Sequence, residues 1–161
     1  MSSREDKSFA LLRIAFGCIW AVDAYFKWQP AFLDNFTNYI AEGAQGQSVY
    51  VQDWINLWVH GCSVDPHSFG IIVALSETAI AIGLLFGLFT KIAMSGGIAM
   101  ALVIWSTAEG FGGPYVAGST DVGAAIIYVI VFLALWLGKC WRYYSLDSRL
   151  REKVPYLLGR W

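Results

Sequence analysis

Five ionisable residues, Asp23, Lys27, Glu77, Glu109 and Asp121, stand in or against long apolar runs. Charge at membrane depth costs free energy unless it is paired or faces a polar cavity, so each is a candidate for proton transfer or ligand binding. Asp23 and Lys27 are spaced i,i+4 with the acid first, the favoured order for a helical ion pair, and that spacing serves a structural pair and a binding site equally well. Glu77 differs, because no basic residue lies within four positions of it. About 12 Å inside its apolar run, it must be protonated, paired across a bundle to Lys27, hydrogen-bonded to Ser106 or Thr107, or open to a wet cavity. Asp121, with Ser119 or Thr120, fits a helix N-cap, and Glu109 fits an interface. Arg13 is expected to snorkel to the headgroups or to the C-terminal segment.

Metal and thiol chemistry are poorly supplied. His60, Cys62, Asp65 and His67 fall within eight residues, but their spacing follows no standard zinc or copper pattern. His60, Cys62 and His67 are therefore weak metal candidates, and no metal is expected. Cys18, Cys62 and Cys140 include no Cys-x-x-Cys pair, which argues against a thiol–disulfide relay. With neither histidine inside an apolar run, the chain alone cannot supply two axial histidines to a buried haem.

The elements that position these residues follow from composition. Hydrophobic residues make up 57% of the 161 residues and charged residues 14%, against about 25% charged in soluble domains. Basic arms and Gly-rich phosphate loops are absent from the sequence, which argues against nucleic-acid partners. Four segments approach the ~20 apolar residues that a membrane-crossing helix needs, at about 9–28, 69–89, 92–108 and 122–137. Only Thr90 and Lys91 separate the second from the third, which predicts a tight hairpin. The expected fold is an all-α, four-helix transmembrane bundle forming one domain over residues 1–161.

Lys and Arg set the expected orientation. Arg4 and Lys7 precede the first span, Lys91 joins the second to the third, and Lys139, Arg142, Arg149, Arg151, Lys153 and Arg160 follow the fourth. The loops at 29–68 and 110–120 contain neither residue type. Both termini are thus expected in the cytoplasm, including the tail at 138–161. Arg13, Asp23 and Lys27 make the first span an uncleaved anchor rather than a signal peptide.

The first outer loop is too long to be structureless. Residues 31–41 and 51–60 carry apolar side chains at helical spacing, including Tyr39, Trp54 and Trp58. They predict short interfacial helices, broken around Gly43, Gly46 and Gln47, which serve as a lid over the bundle mouth or as a docking platform. Gly83-x-x-x-Gly87 and Ala93-x-x-x-Gly97-x-x-x-Ala101 permit close helix approach.

Taken in order, these features resemble the DoxX/DoxD family of small four-span membrane proteins. The resemblance rests on Leu12-Arg13-Ile-Ala-Phe-Gly17, on Lys27 followed by Pro30-Ala-Phe-Leu33, and on Glu77 within Ala74-Leu-Ser-Glu-Thr-Ala79. It extends through Gly83 to Lys91 and to the ending Trp141-Arg-Tyr-Tyr-Ser-Leu-Asp147. It implies a bacterial or archaeal cytoplasmic-membrane subunit of a redox complex, similar to the DoxD-type subunit of thiosulfate:quinone oxidoreductase, with Arg13, Lys27 and Glu77 as family-like polar positions. Its implied partners are the lipid bilayer and other subunits, with oligomerisation open. The outer loops carry Asp34, Glu42, Asp53 and Asp65, a field that repels a thiosulfate dianion and suits a neutral quinone. The sequence thus predicts Glu77 as proton relay or headgroup ligand, with Lys27 and Asp23 binding substrate. Quinone is the one cofactor class it suggests. The alternative is a non-catalytic structural or assembly subunit that docks an electron-transfer complex.

Overall fold

The computed structural model describes residues 3–119 and 121–153, and among them every regular element is helical. In chain order these are α1 (Ser3–Lys27), α2 (Pro30–Leu33), α3 (Phe36–Ala41), α4 (Val49–Cys62), α5 (Pro66–Phe86), α6 (Thr90–Ser106), α7 (Ala124–Leu137) and α8 (Leu146–Lys153). Two of them, α1 from Lys7 and α5, are long and apolar enough to cross a membrane, while α6 and α7 are shorter apolar helices. Large apolar side chains such as Leu11, Val22, Ile72, Leu75, Ile92, Ile130 and Leu133 lie exposed around the bundle, a perimeter suited to lipid rather than water.

Local chemistry fixes the ends of α5. Pro66 occupies its first turn, where a missing N–H is no loss, and the Asp65 carboxylate accepts from Ser68 N at 3.2 Å. The Ser68 side chain, together with this backbone hydrogen bond, holds the Asp65 carboxyl below its ordinary value. The helix stops at Gly87, whose φ of 63° is the left-handed cap that glycine adopts without a Cβ penalty. The hairpin turn therefore runs through Gly87, Leu88 and Phe89, ahead of the expected Thr90–Lys91, and Thr90 already begins α6.

Helix packing uses the small residues. α1 and α5 run antiparallel in the most extensive helix contact of the fold, with Gly17 against Leu84 and Leu85. Trp28 Nε1 donates across this interface to Thr78 Oγ1 at 3.0 Å. Gly83 meets Ala93 between α5 and α6, and the Phe132 ring of α7 lies flush on Gly97 of α6. Phe16, Trp20, Ile80, Leu84, Met94, Phe132 and Leu135 form the core between the four long helices.

At one end of the bundle the chain after α7 folds back onto the α5–α6 turn. Arg13 is completely buried there, donating from Nη2 to the Tyr144 carbonyl at 2.7 Å. It thus reaches the C-terminal segment and not the headgroups. Asp147 N donates to Gly87 O, and the Asp147 carboxylate accepts from Phe89 N and Thr90 N at 2.8 Å each. Lys91 stacks over Trp141 and Lys7 over Tyr143, so the cations of the first turns of α1 and of the start of α6 share this end.

At the opposite end α2, α3 and α4 form a lid. Phe32, Phe36, Ile40, Ile55 and Cys62 make a second small core, and Gly70 of α5 packs on Leu33 and Phe36. The break between the two amphipathic stretches falls where expected, in a 3-10 turn at Glu42–Ala44. Gly43 there presses against the Thr107 and Ala108 carbonyls at the end of α6, too close for any side chain. Gln47 Nε2 donates to Gly110 O at 2.8 Å.

Candidate functional site

Beneath the lid lies a cavity of about 150 Å³. Trp20, Asp23 and Lys27 reach it from successive turns of α1, Glu77 from the middle of α5, and Tyr128 from α7. Tyr39 closes it from the lid, and Glu109 borders it just past the end of α6. Because α1 and α5 are antiparallel, the last turn of α1 meets α5 at Glu77 rather than at its start. That register brings Lys27 Nζ to 3.7 Å from Glu77 Oε1.

The partner of Glu77 is therefore Lys27. Ser106 and Thr107, the other candidates, are occupied elsewhere, since both hydroxyls donate to the Val103 carbonyl of their own helix. Asp23 and Lys27 do not come within ion-pair distance, so the i,i+4 pair allowed by their spacing does not form. Lys27 instead lies 5.3 Å from the Phe32 ring centroid and 5.9 Å from that of Tyr39, held by two aromatic faces and one carboxylate.

Two buried polar atoms at this site have no hydrogen-bond partner. Glu77, 1% exposed, uses Oε1 for Lys27 and leaves Oε2 unpaired, while Trp20, 2% exposed, leaves its Nε1–H unpaired. A buried unsatisfied donor or acceptor costs about 1–3 kcal/mol, and both atoms belong to residues that line one small cavity. Both atoms are themselves closed off from the cavity by neighbouring atoms, so a ligand in that space reaches them only when the Trp20 and Glu77 side chains turn toward it. Trp20 carries no charge to draw attention, but it lies three residues before Asp23 and seven before Lys27, on the same helical face.

Glu109 and Asp121 exchange the roles expected of them. The Glu109 carboxylate, expected only to border an interface, accepts from Ala125 N at 3.2 and 3.0 Å and so caps α7. Asp121 is not the N-cap, because Gly123 stands at that position with φ 87° and the Asp121 carboxylate accepts from Gly123 N at 2.8 Å in a local turn. The helix accordingly starts at Ala124 and not at 122. Ser119 Oγ binds within its own loop, and Thr120 lies outside the described residues.

The other chemical candidates disperse. Among the described residues no three His, Cys, Asp or Glu side chains group closely enough to hold a metal. His60 and His67 are exposed, whereas Cys62 is buried in the lid core, where burial pushes its thiol up from its ordinary value. Cys140 packs against Met94 Sδ at 3.7 Å, and burial pushes its thiol up to about 12, far from the thiolate form that reacts.

The family whose sequence pattern matches is DoxX, over residues 8–110. The chain belongs to the DoxX family. The match runs from α1 through the lid to the end of α6, and so holds Trp20, Asp23, Lys27, Tyr39, Glu77 and Glu109. Tyr128 and the Trp141–Asp147 ending lie beyond it, while the lid falls inside it. As a DoxX-family chain with apolar helices and an apolar perimeter, this is a membrane protein. Among curated proteins and among solved structures none gives a significant match.

Proposed function

We propose that this DoxX-family chain is the integral membrane subunit of a quinone-linked oxidoreductase, in the place of the DoxD-type subunit of thiosulfate:quinone oxidoreductase. It would sit in the cytoplasmic membrane of a bacterium or archaeon as a four-span bundle with both termini inside. The basic end marked by Lys7 and Lys91, stacked on Tyr143 and Trp141, supports that orientation, and the lid then lies on the outer side. Other subunits supply the electrons.

The observation that carries this reading is the ring-sized cavity bordered by Trp20 and Glu77, two residues whose buried polar atoms lack partners, with Lys27 beside them. A quinone oxygen accepts, and the corresponding quinol hydroxyl donates, so a single ring satisfies both Trp20 Nε1 and Glu77 Oε2 once these side chains turn into the space. About 150 Å³ is roughly the size of a protein cavity that admits benzene. Reduction of a quinone takes two electrons and two protons. The electrons come from the partner redox subunit, and the Glu77 carboxyl passes a proton to the ring oxygen. Lys27, already within 4 Å, stabilises the carboxylate left behind, which is reprotonated from the mouth for the second transfer. Asp23 and Glu109 line that mouth and, with the acidic lid, disfavour a dianion such as thiosulfate at this end.

Glu77→Gln keeps the shape of the side chain but carries no transferable proton. It is expected to lower quinone-dependent turnover of the assembled complex at least a hundredfold, in line with the loss of a positioned proton donor, while the subunits still co-purify. Full turnover in that variant refutes the proposal.

One observation favours the rival reading of a structural or assembly subunit. On α4, Tyr50, Val49 and Leu57 are strongly exposed, beside the edge-to-face pair Trp54–Trp58. If this face docks another subunit, replacing Trp54 and Trp58 by alanine breaks up the complex and Glu77→Gln leaves turnover intact.

A further inference from the structure

A second hollow of about 350 Å³ opens beside the polar cavity, lined by Phe26, Lys27, Gln29, Ala31, Phe32 and Tyr39. Lys27 and Tyr39 line both spaces, so the two are separated by little more than these side chains. The chemistry on either side of them differs. The inner space is lined by Asp23, Glu77 and Glu109 with Lys27 and Tyr128, whereas the outer one is lined mainly by Phe26, Phe32, Ala31 and Tyr39. Phe26 is exposed on α1 at its junction with the lid, where the bundle's apolar perimeter begins.

We propose that these two spaces form one amphiphile site, entered sideways from the outer leaflet, in which the ring fills the polar cavity and an isoprenoid tail lies in the Phe26–Phe32 groove. This rests on the quinone reading above and narrows its substrate to long-tailed, lipid-borne quinones. The volumes carry the argument. The inner cavity, at about 150 Å³, is ring-sized and too small for a long tail as well, so a tail must leave it, and the apolar space adjoining it past Lys27 and Tyr39 offers a path. Lys27 then serves as a gate, since its aliphatic stem can border the tail while its ammonium stays on Glu77.

The test compares a benzoquinone bearing a long isoprenoid tail with the same ring lacking it. Binding to the purified full chain in lipid nanodiscs is followed by tryptophan fluorescence and expressed per mole of lipid, which removes simple partitioning. The wild-type chain is expected to bind the tailed compound at least tenfold more tightly. Ala31→Trp, which fills the groove from an exposed position, and Phe26→Asp, which puts a charge into it, should each erase that preference and leave the affinity for the bare ring unchanged. Glu77→Gln should weaken both ligands. Unchanged preference for the tailed compound in either folded groove variant overturns this inference alone, because the ring would still bind. Failure of the wild-type chain to bind either compound overturns it together with the quinone reading.

Discussion

Trp20 shows what residue types alone conceal. Glu77 could be singled out from sequence because a lone carboxylate in an apolar run has no local explanation, and Lys27 because it is the nearest candidate cation. An indole in a membrane helix excites no such suspicion, since its body is apolar and most tryptophans need no special account. Only packing reveals that Trp20 is 2% exposed with its N–H unpaired. Replacing it by phenylalanine keeps a ring in the core against Phe16 and Phe132 but removes the donor. Trp20→Phe is expected to weaken quinone binding about tenfold, one hydrogen bond's worth, with a thermal midpoint equal to or above that of the wild-type chain. A large drop in melting temperature with unchanged binding would assign the indole a purely packing role. The Asp23–Lys27 pair failed for a related reason. Spacing permits a contact, but a cation near the end of α1 has a choice of acids, and the antiparallel register of α5 offers it Glu77.

At the level of elements, the small-residue stripes were legible and their partners were not. Gly97 reads as a close-approach position on α6, yet nothing in the sequence says that its neighbour is an aromatic ring of α7. The Phe132 ring lies where a Cβ on Gly97 would stand, so any side chain there must push α6 and α7 apart. Gly97→Val is expected to lower stability by about 1–3 kcal/mol, the usual cost of overpacking, which thermal unfolding in detergent can measure. A neutral result would mean that α6 and α7 slide without loss. Helix ends were harder still. The hairpin turn shifts to Gly87–Phe89 because a left-handed glycine stops α5 before the polar Thr90 and Lys91 are reached. The start of α7 shifts because Gly123, between Asp121 and the helix, takes a conformation that cannot continue one.

Across the whole molecule, the four long helices are held at both ends by segments outside them. The lid was foreseeable from forty residues with helical apolar spacing, and its seat was not, since Gly43 against the end of α6 is a contact between distant parts of the chain. The same holds for the carboxylates that start α6 and α7. Neither helix has a side-chain hydrogen bond from its own N-cap residue, Phe89 or Gly123. α6 takes its cap from Asp147, beyond the end of α7, and α7 takes its cap from Glu109, beyond the end of α6. Losing a cap costs about 0.5–2 kcal/mol. Asp147→Ala is therefore expected to destabilise the bundle by that amount and to free the Tyr144–Asp147 segment to protease, seen as faster cleavage there. Protection equal to wild type would count against the capping role.

These exchanged caps carry a consequence for biosynthesis. The acceptor of Thr90 N lies 57 residues further along the chain, so a ribosome delivering α6 to the membrane releases it with its first turn unfinished. Until Asp147 emerges, the backbone donors of Phe89 and Thr90 at the start of α6 must be satisfied by water or lipid headgroups. The hairpin of α5 and α6 is thus left provisional during synthesis, and a segment made after all four long helices is the one that closes it.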